Sequence, residues 1–111
     1  MNDAYTNYIA KCRKPKDPSK VKRLIQCFIL GAKRGWSNAQ IADKLNELQI
    51  RTLVGKTWTN ENLAMAVLKM VRFDQDSSLS HMLATMLRSG EVTEDELALL
   101  RSRTRSASVL P

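Results

Sequence analysis

The chain has 111 residues, 43% of them hydrophobic and 26% charged, with only four glycines and three prolines. That is the length of one domain, and the composition excludes collagen-like, low-complexity and membrane-embedded chains. Eighteen Lys and Arg against eleven Asp and Glu leave a net charge of +7, which favours an anionic partner, nucleic acid being the commonest.

Residues 1–16 show no clean period. Lys11, Arg13, Lys14 and Lys16 cluster around Pro15 and read as an irregular basic arm, in which Tyr5, Tyr8 and Ile9 can form a short helical turn against the body. Asp17-Pro18 opens the first full helix: aspartate caps orphan N–H groups and proline suits the first helical position. Val21, Leu24, Ile25, Phe28, Ile29 and Ala32 then recur at helical spacing, and Gly35 supplies a left-handed stop. Gly31, inside the helix, costs about 1 kcal/mol relative to alanine and marks a close helix crossing.

Ser37 and Gln40 form a capping box before a second helix, about 38–48, with Ala39, Ile41, Ala42, Leu45 and Leu48 on its apolar side. The helical period breaks from Ile50 to Trp58, where β-branched residues and Gly55 predict a long loop or a small hairpin. Thr59 caps a third helix, about 60–71. Leu63, Ala64, Val67, Met70 and Val71 share one face, and Glu61, Asn62, Met65, Lys69 and Arg72 lie on the other.

Asp74 to Ser78 is a polar, acidic linker. A fourth helix, about 78–89, carries Leu79, Met82, Leu83, Met86 and Leu87, and Gly90 ends it. Thr93 and Glu96 make a second capping box, with Glu94 and Asp95 also at the positive end of the helix dipole. A fifth helix is predicted from Glu94 to about Arg103, followed by a flexible tail over 104–111. The fold class is therefore all-α: a small bundle of about five helices containing a helix-turn-helix with a long or hairpin-like turn. The predicted organisation is a basic arm (1–16), a helix-turn-helix core (17–73), a helical pair (74–103) and the tail.

Charge is segregated along these elements. Residues 1–34 hold nine Lys/Arg against two acids, and residues 73–100 hold one against six. A uniformly solvated surface would not divide in this way. The basic front suits phosphates, and the acidic segment faces away from them or toward another protein.

The third helix has the exposed chemistry of a recognition helix. Asn62 can pair with base edges, Lys69 and Arg72 can reach guanine or phosphate, and Met65 can touch a thymine methyl. Thr59 and Asn60 can offer donors to a phosphate at the helix start. The arm residues Lys11, Arg13, Lys14 and Lys16 can follow phosphates or enter a minor groove. The bland alternative is a wet helix face and a solubilising arm.

Within residues 35–68, Ile41-Ala42, Leu45-Asn46, Ile50, Thr52, Gly55, Trp58-Thr59, Leu63 and Val67-Leu68 stand in an order and spacing that resemble the DNA-binding "recombinase" domain of large serine recombinases. Gln49 stands where that family usually has glycine, a position at which glycine supplies positive φ. The resemblance covers about a third of the chain. It implies DNA contact, with the third helix in the groove and the loop from Arg51 to Lys56 near the backbone. It does not imply recombination, because only 34 residues precede the matching region and they lack the strand–helix alternation of a catalytic domain.

No nucleophile–base pair, phosphate-binding loop or metal-ligand spacing is present, so neither an enzyme nor a cofactor is expected. His81 reads as a solvated or capping residue, and Trp36 and Trp58 as lids on the core rather than base-stacking platforms. Cys12 and Cys27 have no metal-ligand spacing. The first residues lack an apolar signal region, and the run Cys27 to Leu30 is too short to span a bilayer. A cytoplasmic protein with reduced thiols is expected.

The function expected from the residues is non-catalytic binding of double-stranded DNA. A transcriptional regulator or recombination accessory factor of a phage or mobile element is the form it would take. The leucine and methionine seam of 77–103 could pair two copies into a homodimer. The alternative is a protein-interaction module that uses the acidic segment to bind a host nucleoid or transcription protein. RNA binding ranks below both, since few exposed aromatics are available for stacking.

Overall fold

The computed structural model describes residues 3–11, 16–73 and 78–109. Among these it forms six helices and no strand: α1 (Asp3–Lys11), α2 (Pro18–Lys33), α3 (Asn38–Glu47), α4 (Asn60–Arg72), α5 (Ser78–Ser89) and α6 (Glu94–Val109). The fold is a small all-α bundle, with one helix more than the periodicity predicts.

Short-range chemistry starts and stops the helices. The Asp17 side chain accepts from the Lys20 N–H at 3.2 Å, with Pro18 in the first turn of α2. Ser37 and Gln40 close both bonds of their box at 3.1 and 2.8 Å, and Thr93 and Glu96 do so at 3.2 and 2.9 Å. At the end of α2, Gly35 has φ +74°, and Trp36 N–H donates back to the Gly31 carbonyl. A Cβ on Gly31 would sit 2.5 Å from Ile41 Cγ1, so α2 and α3 do cross at a separation that only glycine allows.

The core is centred on α5, which α1, α2 and α4 cover. Leu79, Met82, Leu83, Ala84 and Met86 are buried, and so are its polar residues Ser80 and His81. The Ser80 hydroxyl lies 3.1 and 3.0 Å from the Lys69 and Met70 carbonyls near the end of α4, whose last carbonyls lack helical partners. His81 is therefore an interior residue, not the solvated or capping one its position near a helix start suggested.

Three further expectations are corrected. Residues 3–11 are helical rather than irregular: α1 packs on α5, and Tyr5 and Tyr8 meet the Phe73 ring at centroid distances of 5.7 and 5.4 Å. An isolated nine-residue helix is marginal in water, so this packing is what stabilises it. Second, α6 continues past Arg103 to Val109. Arg101 donates to the Val71 carbonyl at 3.1–3.2 Å, and Arg103 to the Trp36 carbonyl at 2.7 Å and Asn38 Oδ1 at 3.1 Å. These two anchors seat α6 on the end of α4 and the start of α3. Third, of the 77–103 surface expected to pair two copies, Leu79, Met82, Leu83 and Met86 are buried within the chain.

No helix among the described residues is long and apolar enough to cross a membrane. The expectations for Cys12, Arg13, Lys14 and the 74–77 linker lie outside the described residues.

Candidate nucleic-acid interface

The segment between α3 and α4 is a pinned loop. Its first residue past the helix, Gln49, takes the left-handed conformation at φ +60°. Gln49 N–H donates to the Asn46 carbonyl at 3.0 Å and Ile50 N–H to the Leu45 carbonyl at 2.9 Å, the same double closure that Gly35 makes. A non-glycine residue at positive φ costs about 1 kcal/mol. Burial of Ile50 just beyond holds it there.

Two buried residues then anchor the loop at its ends. Ile50 enters the core at one end, and Trp58 at the other, 5% exposed and edge-on to Phe28 at 5.7 Å. Asn46 bridges them: its Oδ1 accepts from Trp58 N–H and its Nδ2 donates to the Trp58 carbonyl, both at 2.8 Å. Trp58 is a core residue, and Trp36 is half-buried against the same core with Arg34 5.6 Å from its ring centre.

Between those anchors the chain projects as a tight turn. Thr52 N–H donates to the Lys56 carbonyl at 2.8 Å, Gly55 N–H to the Thr52 carbonyl at 2.9 Å, and Lys56 N–H to Thr52 Oγ1 at 2.9 Å. Gly55 at φ +84° makes the turn possible. Lys20 Nζ reaches the Thr52 carbonyl at 3.3 Å, so the start of α2, which Lys16 precedes, lies beside the turn.

The fate of each predicted contact residue can now be stated. On α4, Leu63, Val67, Met70 and Val71 face the core, while Asn60, Met65, Lys69 and Arg72 are exposed together with Glu61. Lys16, Lys56 and Thr59 are also exposed, and Arg51 is half-buried. Asn62 has a local duty that the sequence reading missed: it is the third residue of a capping box. Its Oδ1 accepts from Thr59 N–H at 2.7 Å, its Nδ2 donates to the Thr57 carbonyl at 3.0 Å, and Thr59 Oγ1 accepts from Asn62 N–H at 3.1 Å. A Thr followed three residues later by Asn is a weaker signal than Thr followed by Glu or Gln. Lys11 belongs to α1, but its side chain, like Arg13 and Lys14, lies outside what the structure describes.

The turn and α4 form the walls of a groove of about 370 Å³. Leu53, Val54 and Met65 line it with Lys56, Asn62 and Lys69, and among the described residues no carboxylate does. Leu53, Val54 and Met65 are 47%, 79% and 54% exposed. The sequence reading passed over Leu53 and Val54; two apolar residues directly before a turn glycine were the available signal.

Three acids of the 91–96 segment lie on another seam. Glu91 pairs with Lys22 of α2, and Glu96 pairs with Lys33 at 2.5 Å. Tyr5 donates to Glu94 at 2.9 Å. The Lys22 ammonium holds the Glu91 carboxyl below the usual carboxylate range, and the Lys33 ammonium, then the Thr93 N–H, does the same for Glu96. Burial, then the Glu94 carboxylate, pushes the Tyr5 phenol up. Burial likewise raises the Cys27 thiol, which leaves it a poor nucleophile. Among the described residues no ion pair engages Lys16, Lys20, Arg51, Lys56 or Lys69, and no group of three or more His, Cys, Asp or Glu is placed to hold a metal.

Compared with protein-family models, with curated proteins and with solved structures, the chain matches none.

Proposed function

We propose that this chain is a non-catalytic double-stranded DNA-binding protein, a transcriptional regulator or recombination accessory factor of the kind carried by phages and mobile elements. It lays α4 in the major groove, with the turn of Thr52–Lys56 and the basic stretch around Lys16 on the flanking phosphates. One observation carries the reading: Asn62, Met65 and Lys69 of α4 share one groove with the cationic turn, no carboxylate among the described residues lines it, and Glu91, Glu94 and Glu96 are engaged elsewhere by Lys22, Tyr5 and Lys33. A polyanion meets Lys56 and Lys69 there, and Glu61, on the exposed side of α4, is outside the groove lining. The resemblance of residues 35–68 to a DNA-binding domain supports the same assignment.

Within this reading, Lys56 and Lys69 hold phosphates from the two walls of the groove, and Asn60, Met65 and Arg72 are the side chains of α4 nearest the base edges. Asn62 contributes chiefly by fixing the start of the helix. The alternative, a protein-interaction module using the acidic segment, is weakened because three of that segment's acids and most of its apolar residues are engaged within the chain.

Gel-shift titration against salt tests the proposal. Binding to duplex DNA should weaken linearly on logarithmic axes, and Lys56→Gln with Lys69→Gln should reduce the slope by about 2. Absence of binding to any duplex at low salt, or a salt-independent affinity, ends the reading.

A further inference from the structure

Leu53, Val54 and Met65 pose a question that phosphate binding does not answer. Two come from a turn and one from a helix, yet they line a single groove and remain about half or more exposed. Val54 sits near the tip of a turn closed by hydrogen bonds from Thr52 to Gly55 and Lys56, so its exposure is held by the backbone geometry. Packing does not require these side chains, because the loop's core anchors are Ile50 and Trp58. Exposed apolar side chains grouped in this way mark a contact surface.

The rim of the groove decides the occupant. Lys56 and Lys69 border the apolar patch, and no acid among the described residues lines it, so the partner is anionic at its edges and apolar at its centre. The major groove of DNA offers that combination wherever thymine occurs: phosphates along both sides, and the 5-methyl group projecting between them. Cytosine lacks the methyl, and adenine and guanine present only hydrogen-bonding edges there, for which these three side chains have no partner atoms.

We infer that Leu53, Val54 and Met65 form a two-segment reader of thymine methyl groups, which makes the protein selective for T-rich duplexes. The inference rests on the DNA-binding reading above and adds its base preference.

Uracil tests it, because replacing thymine by uracil removes the methyl and keeps every hydrogen-bonding group and charge. The full chain is titrated against alternating (dA-dT), (dA-dU) and (dG-dC) duplexes of equal length at one salt concentration. The (dA-dT) duplex should bind about fivefold or more tightly than the (dA-dU) duplex. In the Leu53→Ala, Val54→Ala variant that ratio should fall towards one, with the helical circular dichroism of the wild type retained. Equal affinity of the wild type for the thymine and uracil duplexes overturns the inference while leaving DNA binding intact. So does a variant that discriminates as well as the wild type, because the methyl reader would then lie elsewhere. Failure to bind all three duplexes removes the DNA reading itself.

Discussion

Helices α4 and α5 are nearly equal in length and each carries a clear apolar stripe, yet they meet opposite fates. α4 buries one face and presents Asn60, Met65, Lys69 and Arg72 to solvent, whereas α5 is covered by α1, α2 and α4 and buries even Ser80 and His81. The difference lies in what is laid over each helix. α1 closes one side of α5, held by Tyr5 and Tyr8 against Phe73, and among the described helices it has no comparable contact with α4. A stripe of polar residues is thus a surface only where no later or earlier segment covers it.

The comparison breaks most sharply with truncations in the two helices. Leu83→Ala, at a fully buried position of α5, should lower unfolding stability by about 2–5 kcal/mol in urea titration. Met65→Ala on the exposed face of α4 should change it by no more than about 0.5 kcal/mol. Similar losses at both sites would mean that α4 is as enclosed as α5.

The platform beneath α4 gives the next effect. Gly31→Ala should cost about 1–3 kcal/mol although alanine is the better helix former, because its methyl group would drive Ile41 away and part α2 from α3. A stabilised variant would show that this crossing has room. Smaller and opposite in sign, Gln49→Gly should raise stability by about 0.5–1 kcal/mol by relieving the left-handed backbone ahead of the turn.

The smallest effect is expected on the α2–α6 seam. The folded state holds the Glu96 carboxyl below its unfolded range through Lys33 and the Thr93 N–H. The stability it adds is complete above the unfolded carboxylate range and is lost as pH falls through the lower folded value. Thermal melts from about pH 6 down to about pH 3 should therefore show a falling Tm, and Glu96→Gln should make that fall shallower. An unchanged pH profile in the variant would remove Glu96 from the account.

Much of this architecture was legible in local patterns. Asp17-Pro18, Ser37 with Gln40, Thr59, and Thr93 with Glu96 mark the starts of α2, α3, α4 and α6, because a cap and its N–H partner lie within one turn. The candidate site was legible in part. Met65, Lys69 and Arg72 are exposed as the helical period requires, but Asn62 is engaged as a cap, and Leu53 and Val54 became visible as a patch only once the turn was seen beside α4.

The sequence by itself determined where most helices begin and end, which residues of α2 face inward, and that positive charge concentrates ahead of an acidic segment; on α3 only Ile41, Ala42 and Leu45 of the expected apolar side are buried, while Ala39 and Leu48 are exposed. Only the tertiary structure decided that residues 3–11 form a helix over α5, that the acids engage Lys22, Lys33 and Tyr5, and that a turn and a helix enclose one apolar groove rimmed by lysines. The physical reason is range. Caps and periodicity act across three or four residues, whereas burial and ion pairing depend on which distant segment arrives to cover a face.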